Sequence, residues 1–514
     1  MAQTAASRYT QLETARRPFL DRARDAATLT IPSLMPPEGH TGFTKLPTPF
    51  QGIGARGVNN LAARLLLALL PPNSPFFRLQ VDDFTLQKIT KQQGMRAEVE
   101  KAFNMIERAV MGQIEAGAMR VTAFEAIKHI INDGNALCYL PDDGGMKLFR
   151  LDRYCVVRDP MGSVLEIITK EDLSQSSMPE HVRALMPAGY ETKDPTSKCA
   201  LYTWVRRSDD GKFWKVHQEV HDIVIPGSYG TYPIGKTPWI PLRWAKIDGE
   251  DYGRGYVEEY IGDLKSLEAL SQAIVEGSAA AAKVLFLVNP NGTTRMKDVQ
   301  DAPNTAVRAG KADDVTVLQM NKFNDFKVAQ GVMESIEKRI SMAFLLNSSV
   351  QRNGERVTAE EIRYVASELE DGLGGVYSIL SQEFQLPFVT RIMWQMERQK
   401  KLPPLPKGLV RPVITTGLEA LGRGQDLTKL DTLLQRIAPL GPEVISTYLN
   451  VGDYITRVGT SLGIDMAGLV ASQEQVQASQ QAAQARQMME KLGPKGMDIV
   501  RDQLKPQAPN GPQG

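Results

Sequence analysis

The strongest constraint on this chain is a long run of apolar residues at steps of three and four. Thr358 and Glu361 stand at capping-box spacing, and Ile362, Val365, Leu369, Leu373, Val376, Leu380 and Phe384 follow. The pattern predicts a helix of about 40 residues ending at Arg398, bent near Pro387. An apolar stripe of that length has to be covered by other elements or by neighbouring chains. Packing of such a stripe, more than propensity, is what holds most helices.

The rest of the chain alternates in texture. Helix is predicted over 6–30, with Pro18 bending or dividing it, and over Val58 to Leu70, where Pro71 and Pro72 stop it. The Pro-rich stretch 32–49 reads as loop. Residues 95–133 read as helix, with Ile106, Val110 and Ile114 at helical spacing. Over 135–247, short β-branched and aromatic runs between Gly, Pro and Asp clusters predict a mostly antiparallel sheet. A Gly253-Arg254-Gly255 hinge then leads into helix up to Ala282. Two strand-like runs lie within 283–325, and helix resumes up to Leu346. Residues 400–412 read as a Pro-rich linker, and 425–490 as helical. The Gln- and Ala-rich end passes into a Pro/Gly tail expected to be disordered. No internal repeat is found.

With 514 residues, the chain has room for about three domains. Lys and Arg total 60 against 59 Asp and Glu, a net charge of +1. That balance argues against gripping nucleic acid over the whole surface, so any DNA contact has to be local or weak. Cys138, Cys155 and Cys199 are too widely spaced for a zinc pattern or a disulfide framework, which fits a reducing compartment. The longest apolar run, Leu61 to Leu70, is ten residues interrupted by Arg64, whereas a bilayer needs about 20. No apolar core follows an N-terminal basic cluster, so a soluble protein made inside the cell, without a secretory leader, is expected.

Three motifs carry the look of chemistry. Gly230 to Thr237, GTYPIGKT, matches the phosphate-binding P-loop letter for letter. A working P-loop opens straight into a helix, but Pro238 and Pro241 follow at once and the next residues read as strand. A surface turn is the better reading. Gly52-Ile53-Gly54-Ala55-Arg56-Gly57 matches a dinucleotide fingerprint, yet no buried strand precedes it, so a flexible entry into the next helix is expected. His217 and His221 frame a zinc-protease-like pattern in which Gln218 replaces the catalytic Glu. On a strand those histidines stand about 13 Å apart, too far to share a metal, and read as two polar residues on one face. No catalytic residue, metal or cofactor is expected.

A further reading comes from likeness. Residues 350–371, VQRNGERVTAEEIRYVASELED, continue as GLGGVYSILSQEFQLPF. With TLTIPSL at 28–34, GARGVNNLAARLLLALLPP at 54–72, RVTAFEAIKHIINDGNALCYLP at 120–141, YGRGYVEEYIGDLKSLEALSQAIV at 252–275 and TGLEALGRGQDL at 416–427, this text closely resembles the portal (head-to-tail connector) proteins of short-tailed phages with a self-encoded RNA polymerase. The likeness is collinear over most of residues 7–470. It implies an α+β viral portal fold and a ring of about twelve copies around a DNA channel at one capsid vertex. Expected segments are a wing (1–253), stem helices (254–282 and 326–346), an α/β clip (283–325), a tunnel loop (347–357), a long wing helix with linker (358–412), an α-helical crown (413–490) and a tail (491–514).

The resemblance also implies partners. They are further copies of the chain, double-stranded DNA passing without sequence preference, the terminase large subunit, a tail adaptor, the major capsid and scaffolding proteins, and internal core proteins, with no membrane insertion. Such portals are not ATPases, so the protein is expected not to be an enzyme, and to be made in the host cytoplasm and housed in the virion. Other head–tail components, or an enzyme using residues 230–237, are the alternatives.

Two sets of residues are candidate DNA contacts. Gln351, Arg352, Asn353 and Arg356 lie in the expected tunnel loop, where symmetry would turn each arginine into a charged ring. Arg352 is expected to touch phosphates transiently; for Arg356, pairing with Glu360 four residues on is the competing reading. Glu258, Glu259, Asp263 and Glu268 are candidate channel-lining acids that would discourage DNA adhesion, although a solvated or interface face stays equally open.

Overall fold

The computed structural model describes residues 3–72, 75–81, 95–174, 179–186, 198–281, 285–318, 323–346, 369, 372–373, 375–403, 410–415 and 432–441, with a few single positions beyond. The chain divides into two compact units, Met1–Leu418 and Glu419–Gly514. In the second unit, the described part is a helix over 432–437 closed by a 3-10 turn, Ala438–Leu440. The expected crown and tail otherwise lie outside the described residues.

The first unit opens with helix α1 (Ala5–Leu29), capped by the Thr4 hydroxyl on the Ser7 N–H. Pro18 neither divides nor ends it: the helix runs on to Leu29. Pro18 and Thr14, four residues earlier, both lie on the exposed side, so water can serve the carbonyl that the missing N–H leaves free. Meanwhile Tyr9, Arg16, Leu20 and Ala23 pin the buried side.

Helix α2 spans Ile53–Leu69 and starts five residues before the expected Val58. Its glycines are not a flexible entry but contact points. A Cβ on Gly54 would stand 2.5 Å from the Leu29 carbonyl oxygen, and one on Gly57 would stand 2.7 Å from the Phe344 ring. Helices α3 (Met95–Ala116) and α4 (Met119–Asp133) follow strand β1 (Phe77–Val81). Ile106, Val110 and Ile114 are all buried, as their spacing predicts.

The sheet region matches its reading and is antiparallel throughout. One sheet has the order β10-β2-β3, with β2 (Asn135–Tyr139), β3 (Lys147–Phe149) and β10 (Trp239–Arg243). The other runs β4-β5-β6-β7-β8, from β4 (Tyr154–Arg158), β5 (Val164–Ser174), β6 (Lys198–Arg207) and β7 (Phe213–Val220) to β8 (Ile223–Val224), with β9 (Gly230–Pro233) also paired to β7. One face of the larger sheet buries Ile167, Val205 and Trp214 in a shared core. The other packs Ile168 and Trp204 under Ala5 and Tyr9 of α1.

The chain then passes through Gly253-Arg254-Gly255, which is a clamp and not the expected hinge. The Asn135 carboxamide accepts from the Gly253 N–H at 2.7 Å and donates to its carbonyl at 2.9 Å. A Cβ on Gly255 would stand 2.4 Å from the Asn132 carbonyl oxygen, so backbone lies against backbone. The helix expected over 254–282 is two pieces, α5 (Tyr256–Glu259) and α6 (Ile261–Ala281), broken at Tyr260. Strands β11 (Leu285–Val288) and β12 (Val315–Leu318) form a ribbon, and α7 (Phe323–Ala343) returns alongside α6.

Of the long apolar run, Thr358 and its capping box lie outside the described residues. The described part is α8 (Gly375–Leu380), a π-helical turn (Ser381–Gln385) and α9 (Leu386–Arg398). The π turn sits just before Pro387, where a widened turn makes room for a residue that lacks an N–H and would press on the carbonyl four residues back. The turn is anchored by Glu383, whose carboxylate accepts from buried Arg243 at 2.6 Å, and by Gln385, which donates to the Leu69 carbonyl at the end of α2. The stretch expected as linker, 400–412, ends in a strand: β13 (Val410–Ile414) pairs with β1, with Phe77 opposite Ile414. Neither strand was expected from the sequence. Each is short, and the partner lies hundreds of residues away.

Candidate functional site

The three motifs resolve into structure first. GTYPIGKT is strand β9 and a turn with Gly235 at φ +78°, leading into strand β10, so it does not open into a helix as a P-loop does. Its Lys236 carbonyl instead accepts a hydrogen bond from Arg391 at 3.2 Å. The Arg391 guanidinium packs against the rings of Tyr232 and Trp394 and pairs with Asp142. The loop that spells a nucleotide site therefore anchors α9.

His217 lies on β7, with its Nε2 2.8 Å from the Glu219 carboxylate. The other oxygen of Glu219 accepts the Ala5 N–H at 2.6 Å, at the start of α1. His221 is not on the strand at all. With Asp222 it forms the left-handed two-residue turn into β8, at φ 50° and 62°. Among the described residues no group of three or more His, Cys, Asp or Glu is placed to hold a metal. Cys138 is buried and its thiol is pushed up to about 12 by desolvation, which makes it inert.

What remains conspicuous is the arm made of α6, the β11–β12 ribbon and α7. Its two helices are antiparallel, and their register is marked by Asp263 against Arg339 (2.7 Å), Ser271 against Met333 (3.5 Å) and Gly277 against Phe326. A Cβ on Gly277 would stand 2.7 Å from the Phe326 ring, which is why a glycine sits in mid-helix there. The same register continues into the ribbon, where Leu285 faces Leu318.

At its root the arm is buried: Leu264, Leu267, Ile336, Ile340 and Phe344 join the main core. Further out it is not. Val275, Phe286, Leu287, Val317, Val328 and Val332 are exposed, Val328 by 70% and Phe286 by 57%. Covering a Val or Phe side chain is worth about 1.5–3 kcal/mol, so this surface is costly for a lone chain.

The ribbon tip is held by a single carboxylate. Asp314 accepts from the backbone N–H groups of Thr293 (2.7 Å) and Thr294 (3.0 Å) and from both hydroxyls. Those hydrogen bonds, the Thr294 N–H foremost, hold its pKa below the ordinary value of 3.8. No sequence signal points to this contact, because donors and acceptor lie about twenty residues apart.

The four acids proposed for the channel are placed as follows. Glu258 pairs with Arg254 at 3.0 Å and Arg22 at 3.4 Å, and Arg254 also holds Glu250. The hydrogen bonds to Glu250 and Glu258 raise the Arg254 pKa. Glu268 accepts the backbone N–H groups of Phe50 (2.9 Å) and Gln51 (3.2 Å), fixing the approach to α2. Asp263 joins the two long helices through Arg339, whose pKa that bond raises. Glu259 makes none of these contacts. It is exposed, and its carboxyl is raised by partial desolvation and then by Glu258. Gln351, Arg352, Asn353 and Arg356 lie outside the described residues.

The model of the family described as bacteriophage head to tail connecting protein matches residues 2–470. The portal protein of Enterobacteria phage T3 is 45% identical over 486 residues, 93% of this chain and 91% of that one. That of Escherichia phage T7 is 43% identical over 489 residues, 94% of this chain and 91% of that one. Among solved structures, the neck of an empty GTA particle computed with C6 symmetry aligns with a TM-score of 0.37 and 11% identity. That alignment covers 81% of this chain and 90% of that one, a likeness too remote to bear on the fold.

Proposed function

The chain belongs to the bacteriophage head-to-tail connecting proteins, the portal proteins of short-tailed phages, and from that premise we propose that about twelve copies close head to tail into a ring around a DNA channel. Its place is the portal vertex of the virion, where the head meets the tail. DNA enters through the ring, driven by a separate terminase motor, and leaves through it at ejection. The ring carries no catalytic site of its own. The α6–α7 pair is the stem, the β11–β12 ribbon and its loops are the clip that meets the motor and then the tail adaptor, and residues before Arg254 are the wing. The crown, expected over 413–490 although Val413 and Ile414 belong to β13, faces the capsid interior, where capsid, scaffolding and internal core proteins are the neighbours. Synthesis takes place in the host cytoplasm.

The observation that carries ring assembly is the arm's uncovered apolar surface, which the next copy buries. Near-zero net charge suits a conduit, because many phosphate contacts at once would make DNA stick. Among the described residues Glu259 is the one of the four stem acids with no hydrogen bond or ion pair to another part of its chain, and we assign it the lumen-facing role. Arg352, with Gln351, Asn353 and Arg356 beside it, is assigned the transient contact with the phosphate backbone.

The test is the native mass of the purified chain by light scattering, with negative-stain images of the same peak. Twelve chains of 56.8 kDa weigh roughly 680 kDa, and the particles should show a central hole. A mass fixed at one chain, together with measurable ATP binding, would overturn the assignment. Arg352→Ala should leave rings intact while DNA retention in assembled particles falls. Retention equal to that of the parent removes Arg352 from the mechanism.

A further inference from the structure

Helix α7 ends in an unusual way. The Leu346 N–H bonds the Ser341 carbonyl at 2.8 Å and the Leu345 N–H bonds the Met342 carbonyl at 3.2 Å, the paired pattern of a Schellman cap. That motif needs a left-handed residue, and glycine usually supplies it. Here the residue is Leu345, at φ 54°. A γ-branched side chain in that region is strained, and strain persists only where the surroundings over-determine it.

The surroundings are on hand. The Asn60 carboxamide, from α2, donates to the carbonyls of Phe344 (3.0 Å) and Leu345 (3.1 Å). The Tyr256 hydroxyl, from α5, donates to the Ala343 carbonyl at 2.9 Å. The Phe344 ring is fully buried against Tyr256 and Tyr260 and lies on Gly57, where no side chain fits. Three carbonyls at the helix end are thus held from two other elements. Remove those donors, and the relaxed alternative for Leu345 is the right-handed region, which continues the helix past Ala343.

We propose that Asn60 is a positioning residue for the channel. It holds Leu345 in its left-handed conformation, so that the helix which the portal reading makes the stem stops at Ala343. The proposal rests on the portal reading for its link to DNA, but its structural part does not.

The test uses full-length rings and three variants, Asn60→Ala, Leu345→Gly and the two combined. It measures amide hydrogen exchange at Leu345 and Leu346, and DNA retention in assembled particles. Asn60→Ala should speed exchange at both amides by about tenfold and lower retention, with rings still visible by negative stain. Adding Leu345→Gly should restore both readouts, because glycine takes the left-handed conformation without strain. Leu345→Gly alone should slow exchange at the same amides. A loss merely of packing next to Asn60 would not be rescued by glycine at position 345, so an unrescued double variant overturns the proposal. Unchanged exchange in Asn60→Ala overturns it too. If Asn60→Ala does not assemble, Leu345→Gly decides: faster exchange than the parent refutes the latch. Altered exchange with unchanged DNA retention refutes the link to the channel, while ring images and mass judge the portal reading separately.

Discussion

The root and the outer part of the α6–α7 arm are built from the same kinds of residue yet end in opposite surroundings. At the root, Leu264, Leu267, Ile336 and Ile340 meet α2, α5 and the rings of Tyr256 and Phe344, and the chain completes its own core. Towards the ribbon, Val275, Val328 and Val332 meet solvent. Both parts are amphipathic helix, and among the described residues only the root is covered by the rest of the chain. The difference separates a stretch that completes the chain's own core from a stretch of the same two helices left to solvent, the one to which the proposed ring assigns the next copy.

The largest effect should come from the outer part. Val328→Asp with Val332→Asp should abolish the ring peak in light scattering while leaving the far-UV circular dichroism of the dissociated chain intact. Rings that form normally would mean this face is not the seam. Next comes the main core. Phe388 is fully buried beside Phe384, and Phe388→Ala should cost about 3–5 kcal/mol in urea unfolding of the dissociated chain. The two variants together divide the molecule: one loses assembly without stability, the other loses stability first.

A smaller effect is expected at the ribbon tip. The folded-state pKa of Asp314 lies below its ordinary 3.8, so its contribution is complete above that value and disappears as the pH falls through the lowered one. Acidification below pH 3.8 should therefore loosen residues 289–295 before the main core, as read by hydrogen exchange. Asp314→Asn should loosen them already at neutral pH and abolish that acid dependence. The smallest effect belongs to the Asp263–Arg339 pair at the arm's surface, where solvent screens the charges. Arg339→Ala should leave the melting temperature within measurement error. A clear drop would show that this pair is buried in the ring.

How much of this was readable depends on the range of the interaction. The buried stripe of Ile106, Val110 and Ile114 and the antiparallel texture of 135–247 follow from spacing alone, because each is a local pattern repeated over many residues. The two prolines after Thr237 foretell that GTYPIGKT opens into strand, since Pro241 would cost a helix there a backbone hydrogen bond and press on the preceding turn, next to residues that already read as strand. The reading failed where a residue's role is set by something distant. Gly57 looks like a flexible joint until Phe344 is seen against it. Gly253 and Gly255 look like a hinge until Asn135 is found gripping the backbone between them. Pro18 looks like a break until its exposed side is known.

The candidate site divides in the same way. The reading gave helix up to Leu346 without singling out Val328 and Val332, and only the structure shows them exposed while Ile336 and Ile340 on the same helix are buried. Glu258, Glu259, Asp263 and Glu268 were visible as acids. Nothing local distinguishes Glu268, spent on two backbone N–H groups, from Glu259, which faces water.

By itself the sequence determined most of the elements and their order, strand and not helix after GTYPIGKT and, through long collinear likeness, the family. Those are properties of periodicity, of backbone-restricting residues and of many positions read together. Only the tertiary structure decided which glycines are contacts, which charges are neutralised within the chain, and that Leu345 is held in a left-handed cap by Asn60. These depend on which distant groups meet at distances of about 3 Å, and no local pattern carries that information.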